Sequence, residues 1–210
     1  LSGTLDVGAT HQTLAGLTFD STGTNAHVVT GTGSLSVTAG NFLLGGGDAS
    51  STSFSSSLDM SGLESFVYDR STGRFDVGGK SDSALGSTIA NGELTLAAVN
   101  TITAASFNVG FYGTSQSAHN TGTVHLGQTN EVNASTFLVG NQKTTSLLDF
   151  QNLVNPTLKI RGTAGTNSSR AAITVGINGS GIRAAVATID LTSGGTVSST
   201  LDAMVSTLLI

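Results

Sequence analysis

At 210 residues, 38% hydrophobic and only 10% charged, the chain lies outside the disordered class, in which low hydrophobicity accompanies high charge. Eight Lys and Arg against thirteen Asp and Glu give a formal charge of −5, which excludes a basic stripe for nucleic acid or for an anionic membrane surface. With no Cys there are no disulfides or thiolate metal sites, and no apolar run approaches the ~20 residues of a membrane span.

Short strands follow one another from the first residues. Leu5-Asp6-Val7-Gly8 opens a series of apolar–x–apolar–Gly phrases. It continues at Phe42-Leu43-Leu44-Gly45, Phe75-Asp76-Val77-Gly78, Phe107-Asn108-Val109-Gly110, Phe137-Leu138-Val139-Gly140 and Ile173-Thr174-Val175-Gly176. The glycines advance by 37, 33, 32, 30 and 36 residues, an interval typical of stacked repeats. A second phrase, apolar–x–apolar, falls between them at Leu35-Ser36-Val37, Leu58-Asp59-Met60, Leu94-Thr95-Leu96, Val124-His125-Leu126, Leu148-Asp149-Phe150 and Ile189-Asp190-Leu191. Such alternation sends one side chain inward and the next outward. Gly, Asn, Ser and Thr between the phrases supply the turns. Dense Gly and β-branched residues oppose helix, and Leu201 to Ile210 reads as two further strands, Met204-Val205 and Leu208-Leu209-Ile210.

These units predict an all-β solenoid of six to seven coils of roughly 24–41 residues, with 1–210 a single segment of a longer repeat protein. Gly8, Gly45, Gly78, Gly110, Gly140 and Gly176 are its structural repeat glycines. Pro156 marks a corner, and Gly162 to Arg170 (GTAGTNSSR) an insertion at one edge. The segments Leu94 to Gly110 and Val124 to Gly140 align without gaps, placing Asn100 and Asn130 ten residues before a glycine; Asn152 stands equally far before Gly162. Stacked at one position, these three predict an Asn ladder, each amide bonding the next.

The run Leu5-Asp6-Val7-Gly8-Ala9-Thr10-His11-Gln12-Thr13-Leu14-Ala15-Gly16-Leu17 resembles the autotransporter-associated β-strand repeats of large bacterial surface proteins, which use a similar Gln-Thr-apolar-small-Gly-Leu phrase. Leu58-Asp59-Met60-Ser61-Gly62-Leu63, Asn100-Thr101-Ile102-Thr103-Ala104 and Leu158-Lys159-Ile160-Arg161-Gly162-Thr163 are similar to passenger-like repeat proteins abundant in Verrucomicrobia and Planctomycetes. The resemblance implies a right-handed parallel β-helix, export, and a place at the cell surface or in an extracellular matrix. The family shares no catalytic residues, so none is carried over.

The side chains themselves offer little convergent chemistry. His11, His27, His119 and His125 lack a metal spacing such as His-x-x-x-His, and His125, in the middle of its phrase, reads as part of a solvated face. Asp6, Asp59, Asp76, Asp149 and Asp190 take the same middle position. Read on non-neighbouring coils, they predict solvated edges that resist unwanted pairing, not a glycosidase pair or a Ca²⁺ site. Asp69 to Asp76 reads as a solvated corner. Gly45-Gly46-Gly47-Asp48 is one unrepeated piece of a calcium-binding nonapeptide, so neither metal nor cofactor is expected. The sequons at Asn133, Asn167 and Asn178 are those expected by chance in a chain rich in Asn and Ser. Phe111 and Tyr112, after Gly110, are the aromatic pair best placed for a sugar contact.

The sequence therefore predicts a non-enzymatic, secreted or surface-held structural or adhesive module. Its partners are neighbouring coils, copies of itself in filaments or a matrix, and surface polysaccharide or a host cell surface. A carbohydrate-active β-helix, a polysaccharide lyase or glycosidase, is the alternative from another class; a phage tail-spike-like fibre is a third. With no Trp and 5% aromatics, the enzymatic alternative has few sugar platforms.

Overall fold

The computed structural model describes residues 3–19, 23–46, 53–80, 89–112, 119–177, 185–192 and 198–210, and all regular structure among them is β. In chain order the strands are β1 (Gly3–Asp6), β2 (His11–Leu14), β3 (Gly23–Thr30), β4 (Ser34–Val37), β5 (Phe42–Gly46), β6 (Phe54–Asp59), β7 (Ser65–Lys80), β8 (Ala90–Thr95) and β9 (Val99–Tyr112). They continue as β10 (Asn120–Leu126), β11 (Thr129–Asn141), β12 (Thr144–Phe150), β13 (Thr157–Arg161), β14 (Ala171–Ile177), β15 (Val186–Asp190), β16 (Thr200–Ala203) and β17 (Val205–Leu209). One sheet has seven strands in the order β1-β3-β6-β8-β10-β12-β15. The other has ten, along the path β16-β13-β11-β9-β7-β4-β2, with β5 on β7 and β14 joining β11 to β17. Every pairing is parallel.

This arrangement corrects the expected right-handed parallel β-helix, a β-solenoid of six to seven like coils. The chain forms two separate parallel sheets, each running from one edge strand to another without closing. Strands range from 4 residues in β1 to 16 in β7, and three lie off the main path of the larger sheet. The reason lies in the phrases. The glycine phrases of β5, β7, β9, β11 and β14 belong to the ten-stranded sheet, but the first, at Leu5-Asp6, belongs to the seven-stranded one. Leu35-Ser36-Val37 makes the opposite exchange. A single winding unit repeated along the chain cannot produce that sorting.

Between the sheets runs a continuous apolar core. Phe42, Phe75, Phe107 and Phe137 are register partners on four strands, their rings stacked at 4.1, 5.4 and 5.0 Å. From the facing sheet, Leu58, Leu94, Val124 and Leu148 form the corresponding column. All eight are buried, each contributing roughly 1.5–3 kcal/mol. Polar demands at corners are met locally. Tyr68 donates its hydroxyl to the Gly40 carbonyl at 2.8 Å, and Asn155, with φ of 52°, turns the chain into Pro156 and β13. The 162–170 segment is a loop between β13 and β14, closed by the Gly162 amide on the Ser169 carbonyl. Two strands do fall in the last stretch, but with other bounds than expected: β16 ends at Ala203, Met204 is the break, and Val205 and Leu208 share β17.

The repeat glycines have a packing role. Gly45, Gly78, Gly110, Gly140 and Gly176 all hold φ between 60° and 78°, each at the end of an apolar strand phrase. A Cβ on Gly78 would overlap the Thr121 carbonyl, and one on Gly110 the Ser146 hydroxyl. Reciprocally, a Cβ on Gly92 or Gly122 would strike the backbone of Gly78 or Gly110. The main chains of the two sheets therefore touch along a seam of small residues, where only glycine combines left-handed φ with no side chain. Gly8 shares the backbone angle, but nothing stands within 4 Å of its Cβ position, so it lies outside the seam.

Candidate functional site

Parallel register collects, on the outer face of the seven-stranded sheet, polar side chains far apart in sequence. Thr24, Ser55, Asn91, Thr121 and Thr145 form one row across β3, β6, β8, β10 and β12. β-Branched Thr suits both the strand and its solvated side. Asn91 ties the row together: its Nδ2 donates to Ser55 Oγ at 3.2 Å, and its Oδ1 accepts the Thr121 amide at 2.9 Å. A parallel row of Ser57, Glu93 and Thr123 lies two residues on. Between the rows is a shallow groove of about 260 Å³, lined by hydroxyls, amides and the Glu93 carboxylate.

Further along the same strands a third row reads Asp59, Thr95, His125, Asp149, Asp190. His125 Nδ1 donates to Asp149 Oδ1 at 2.6 Å, while its Nε2 faces Glu93 Oε1 at 3.7 Å. Asp149 stands directly opposite Asp190. The Thr192 hydroxyl, at 2.7 Å, and its amide, at 2.9 Å, hold the Asp190 carboxyl below its ordinary range, so this neighbour is ionised at neutral pH. Like charges facing each other destabilise a sheet, and the hydrogen bond from His125 offsets that on the Asp149 side. The imidazole is oriented by a carboxylate, but its other nitrogen meets a second carboxylate where a hydrolytic triad would present a hydroxyl. The row's evident work is to bind strands β8, β10 and β12 together.

Sequence reasoning placed His125 on the outer face but missed its partners. It also set the aspartates on non-neighbouring units, whereas Asp149 and Asp190 are adjacent. Asp76 departs from the solvated reading as well. It is 3% exposed, paired with Arg74 at 2.8 Å, and accepts from Asn108 Nδ2 at 2.6 Å. The corner before it holds extra chain, β7 using Arg70 to Arg74 where β9 uses Ala104 to Ser106.

Asn100 and Asn130 are register partners, both buried, and Asn100 Nδ2 donates to Asn130 Oδ1 at 2.9 Å. Each also donates to the carbonyl three residues before it, Ala97 or Gly127, at 2.7 Å. Asn152 does not join them. It lies exposed in the turn before β13, and Leu158 takes the next position in the column. The pair secures the turns at Ala97 and Gly127.

Phe111 is half-buried at the end of β9, opposite Gly79, and the Tyr112 side chain lies outside the described residues. Gly47 and Asp48 of the calcium-like run, and Asn178, also lie outside them. Asn133 is buried beside Gly165, and Asn167 accepts from Arg161. His11 bonds Ser34 Oγ at 2.7 Å, and His27 packs against Phe19 at 5.7 Å between ring centres. Among the described residues no three His, Asp or Glu are grouped to hold a metal, and no helix is long and apolar enough to cross a membrane. No family model, curated protein or solved structure matches this chain.

Proposed function

We propose that this chain is a structural or adhesive module, which works by presenting an extended polar face and not by catalysis. The observation that carries this reading is the Thr24–Ser55–Asn91–Thr121–Thr145 row with its groove. Five strands, about 4.8 Å apart, offer the same kind of group at each step. A repeating row of neutral donors and acceptors, with the Glu93 carboxylate beside it disfavouring an acidic polymer, makes many weak contacts with a repeating, uncharged, polyhydroxylated one. It offers little to a small substrate, which needs an enclosed pocket with a few converging groups. The partner class is therefore a neutral surface polysaccharide. The hydroxyl-rich composition, with few charges, suits a module that meets such a polymer at or outside the cell surface.

Co-sedimentation with insoluble neutral polysaccharides tests the proposal, with reducing ends assayed in the same tubes. Binding without release of reducing ends is the expected result. It should weaken at least several-fold in the Asn91→Ala/Thr121→Ala double variant. Turnover of any polysaccharide would establish the carbohydrate-active alternative instead, and binding that ignores the double variant would remove the groove from the account.

A further inference from the structure

A polymer on the outer face of the seven-stranded sheet can lie along the strands or across them, and the side chains favour one direction. Along a strand the neutral polar run is short. On β6, Ser55 and Ser57 lead to Asp59, and on β10, Thr121 and Thr123 lead to His125. On β12, Thr145 is followed on the same face by Leu147 and Asp149. Across the strands, Thr24, Ser55, Asn91, Thr121 and Thr145 succeed one another with no charged or apolar member. That row ends at Val186 of β15, an apolar side chain that is 57% exposed. The row beside it is shorter, Ser57, Glu93 and Thr123 being bounded by Ala26 and Leu147. The groove between the two rows therefore runs across the strands, from Thr24 on β3 to Thr121 on β10.

Spacing then selects the polymer. Backbone hydrogen bonds hold neighbouring strands about 4.8 Å apart, so the step of the row is set by the main chain and does not adjust to a ligand. Asn91, bonded to Ser55 Oγ on one side and to the Thr121 amide on the other, fixes the centre of the row before anything binds. A pyranose chain linked through equatorial bonds at opposite ends of each ring is extended, and it advances by one ring length per sugar, close to one strand. It carries hydroxyls on both edges, so each sugar meets a donor or acceptor whichever way its ring is turned. A chain with axial linkages coils and leaves the line of the row within a few sugars.

We infer that this face takes an extended, equatorially linked neutral glycan, laid across the strands with one sugar per strand along the Thr24–Ser55–Asn91–Thr121–Thr145 row. This rests on the adhesive reading proposed above, to which it adds the linkage and the direction of the chain.

Calorimetric titration with cello-oligosaccharides and β-manno-oligosaccharides of two to seven sugars, set against axially linked malto-oligosaccharides of the same lengths, is the test. Affinity for the extended chains is expected to rise several-fold with each added sugar up to five and then to level off, while the malto series stays flat. Thr24→Ala, at an exposed end of the row, should lower the five-sugar affinity to that of four, so that the rise now ends one sugar earlier. Asp59→Ala, in the carboxylate row, should leave the whole series unchanged. The same rise in the malto series, or a rise that ends at two sugars, would overturn the inference. So would a loss in Asp59→Ala equal to that in Thr24→Ala, which would lay the chain along β6. Binding of insoluble neutral polysaccharide with no length dependence in the soluble series would remove the alignment and leave the adhesive module standing. Absence of binding to soluble and insoluble glycans alike would remove both.

Discussion

The middle of this molecule and its ends are built from the same phrases but hold them very differently. In β7, β9 and β11 the inward residues Phe75, Val77, Phe107, Val109, Phe137 and Val139 are completely buried. At the β15–β17 end, Leu201, Leu208 and Leu209 are more than half exposed. Sequence does not make that difference; neighbours do. A parallel strand in the middle is covered by strands on both sides and by the opposite sheet, while an edge strand lacks one of those three. Stability in such a stack is a sum of nearest-neighbour terms, so the same residue is worth more in the middle than at an end.

Glycine gives the largest contrast. Gly78→Ala forces a Cβ into the Thr121 carbonyl at a left-handed φ of 67°, and we expect a loss of about 4 kcal/mol or more, or failure to fold. Gly8→Ala, at φ of 60° with open space around it, should cost about 1–2 kcal/mol from backbone strain alone. Urea unfolding of the two variants measures the difference. Equal losses would mean that the sheets do not touch along the seam.

Aromatic stacking comes next. Phe107 lies between Phe75 and Phe137 at 5.4 and 5.0 Å, and Phe107→Ala should cost about 3–5 kcal/mol. Leu208 lies in the column that continues from Phe137 through Ile173, yet Leu208→Ala should cost under about 1 kcal/mol, because the side chain is already 58% exposed. Urea unfolding of the two variants measures this contrast.

The asparagines give a smaller effect. Asn130→Ala removes the acceptor for the Gly127 amide at 3.0 Å and for Asn100, and leaves buried groups unpaired, at a cost of about 1–3 kcal/mol. Asn152→Ala, in an exposed turn, should stay within about 0.5 kcal/mol.

These pairs also show what could be read in advance. Asn100 and Asn130 were legible because Leu94 to Gly110 and Val124 to Gly140 align without a gap, so equal spacing means equal height. Asn152 fails because the strand before it lies two residues closer, and Leu158 occupies the column. The strands themselves were legible from alternation, which follows directly from the two-residue period of an extended chain. Their sorting into two sheets was not, since Leu5-Asp6-Val7-Gly8 and Phe75-Asp76-Val77-Gly78 are alike as text and differ only in what lies opposite. The Glu93–His125–Asp149 contacts span 32 and 24 residues and leave no local trace. Writing Val124-His125-Leu126, Leu148-Asp149-Phe150 and Ile189-Asp190-Leu191 in one frame would have shown His125, Asp149 and Asp190 as neighbours.

The smallest expected effects set middle and end apart by pH. Burial raises the Tyr68 phenol above its ordinary value, the nearby Arg70 only partly opposing it. Between about pH 10, the ordinary value of a free phenol, and the higher folded value, the unfolded chain releases the proton first. The folded state then holds more protons, so stability falls as pH rises through that window and is undiminished below it. Tyr68→Phe should flatten that alkaline slope. At the end, the hydrogen bond from Arg161 holds the Asp202 carboxyl below its ordinary range, at 2.6 Å between the two groups. Its contribution is present above about pH 4 and is lost as pH falls through the folded value, because the unfolded chain takes up the proton first. Asp202 is exposed, so the consequence is local, and hydrogen exchange is the measurement that sees it. Amides of β13 and β16 should lose protection on acidification before those of β9 and β11 do, and Asp202→Asn should remove that dependence. Simultaneous loss across all four strands would show that the end is bound to the stack as firmly as the middle, and the nearest-neighbour account of this molecule would fail there.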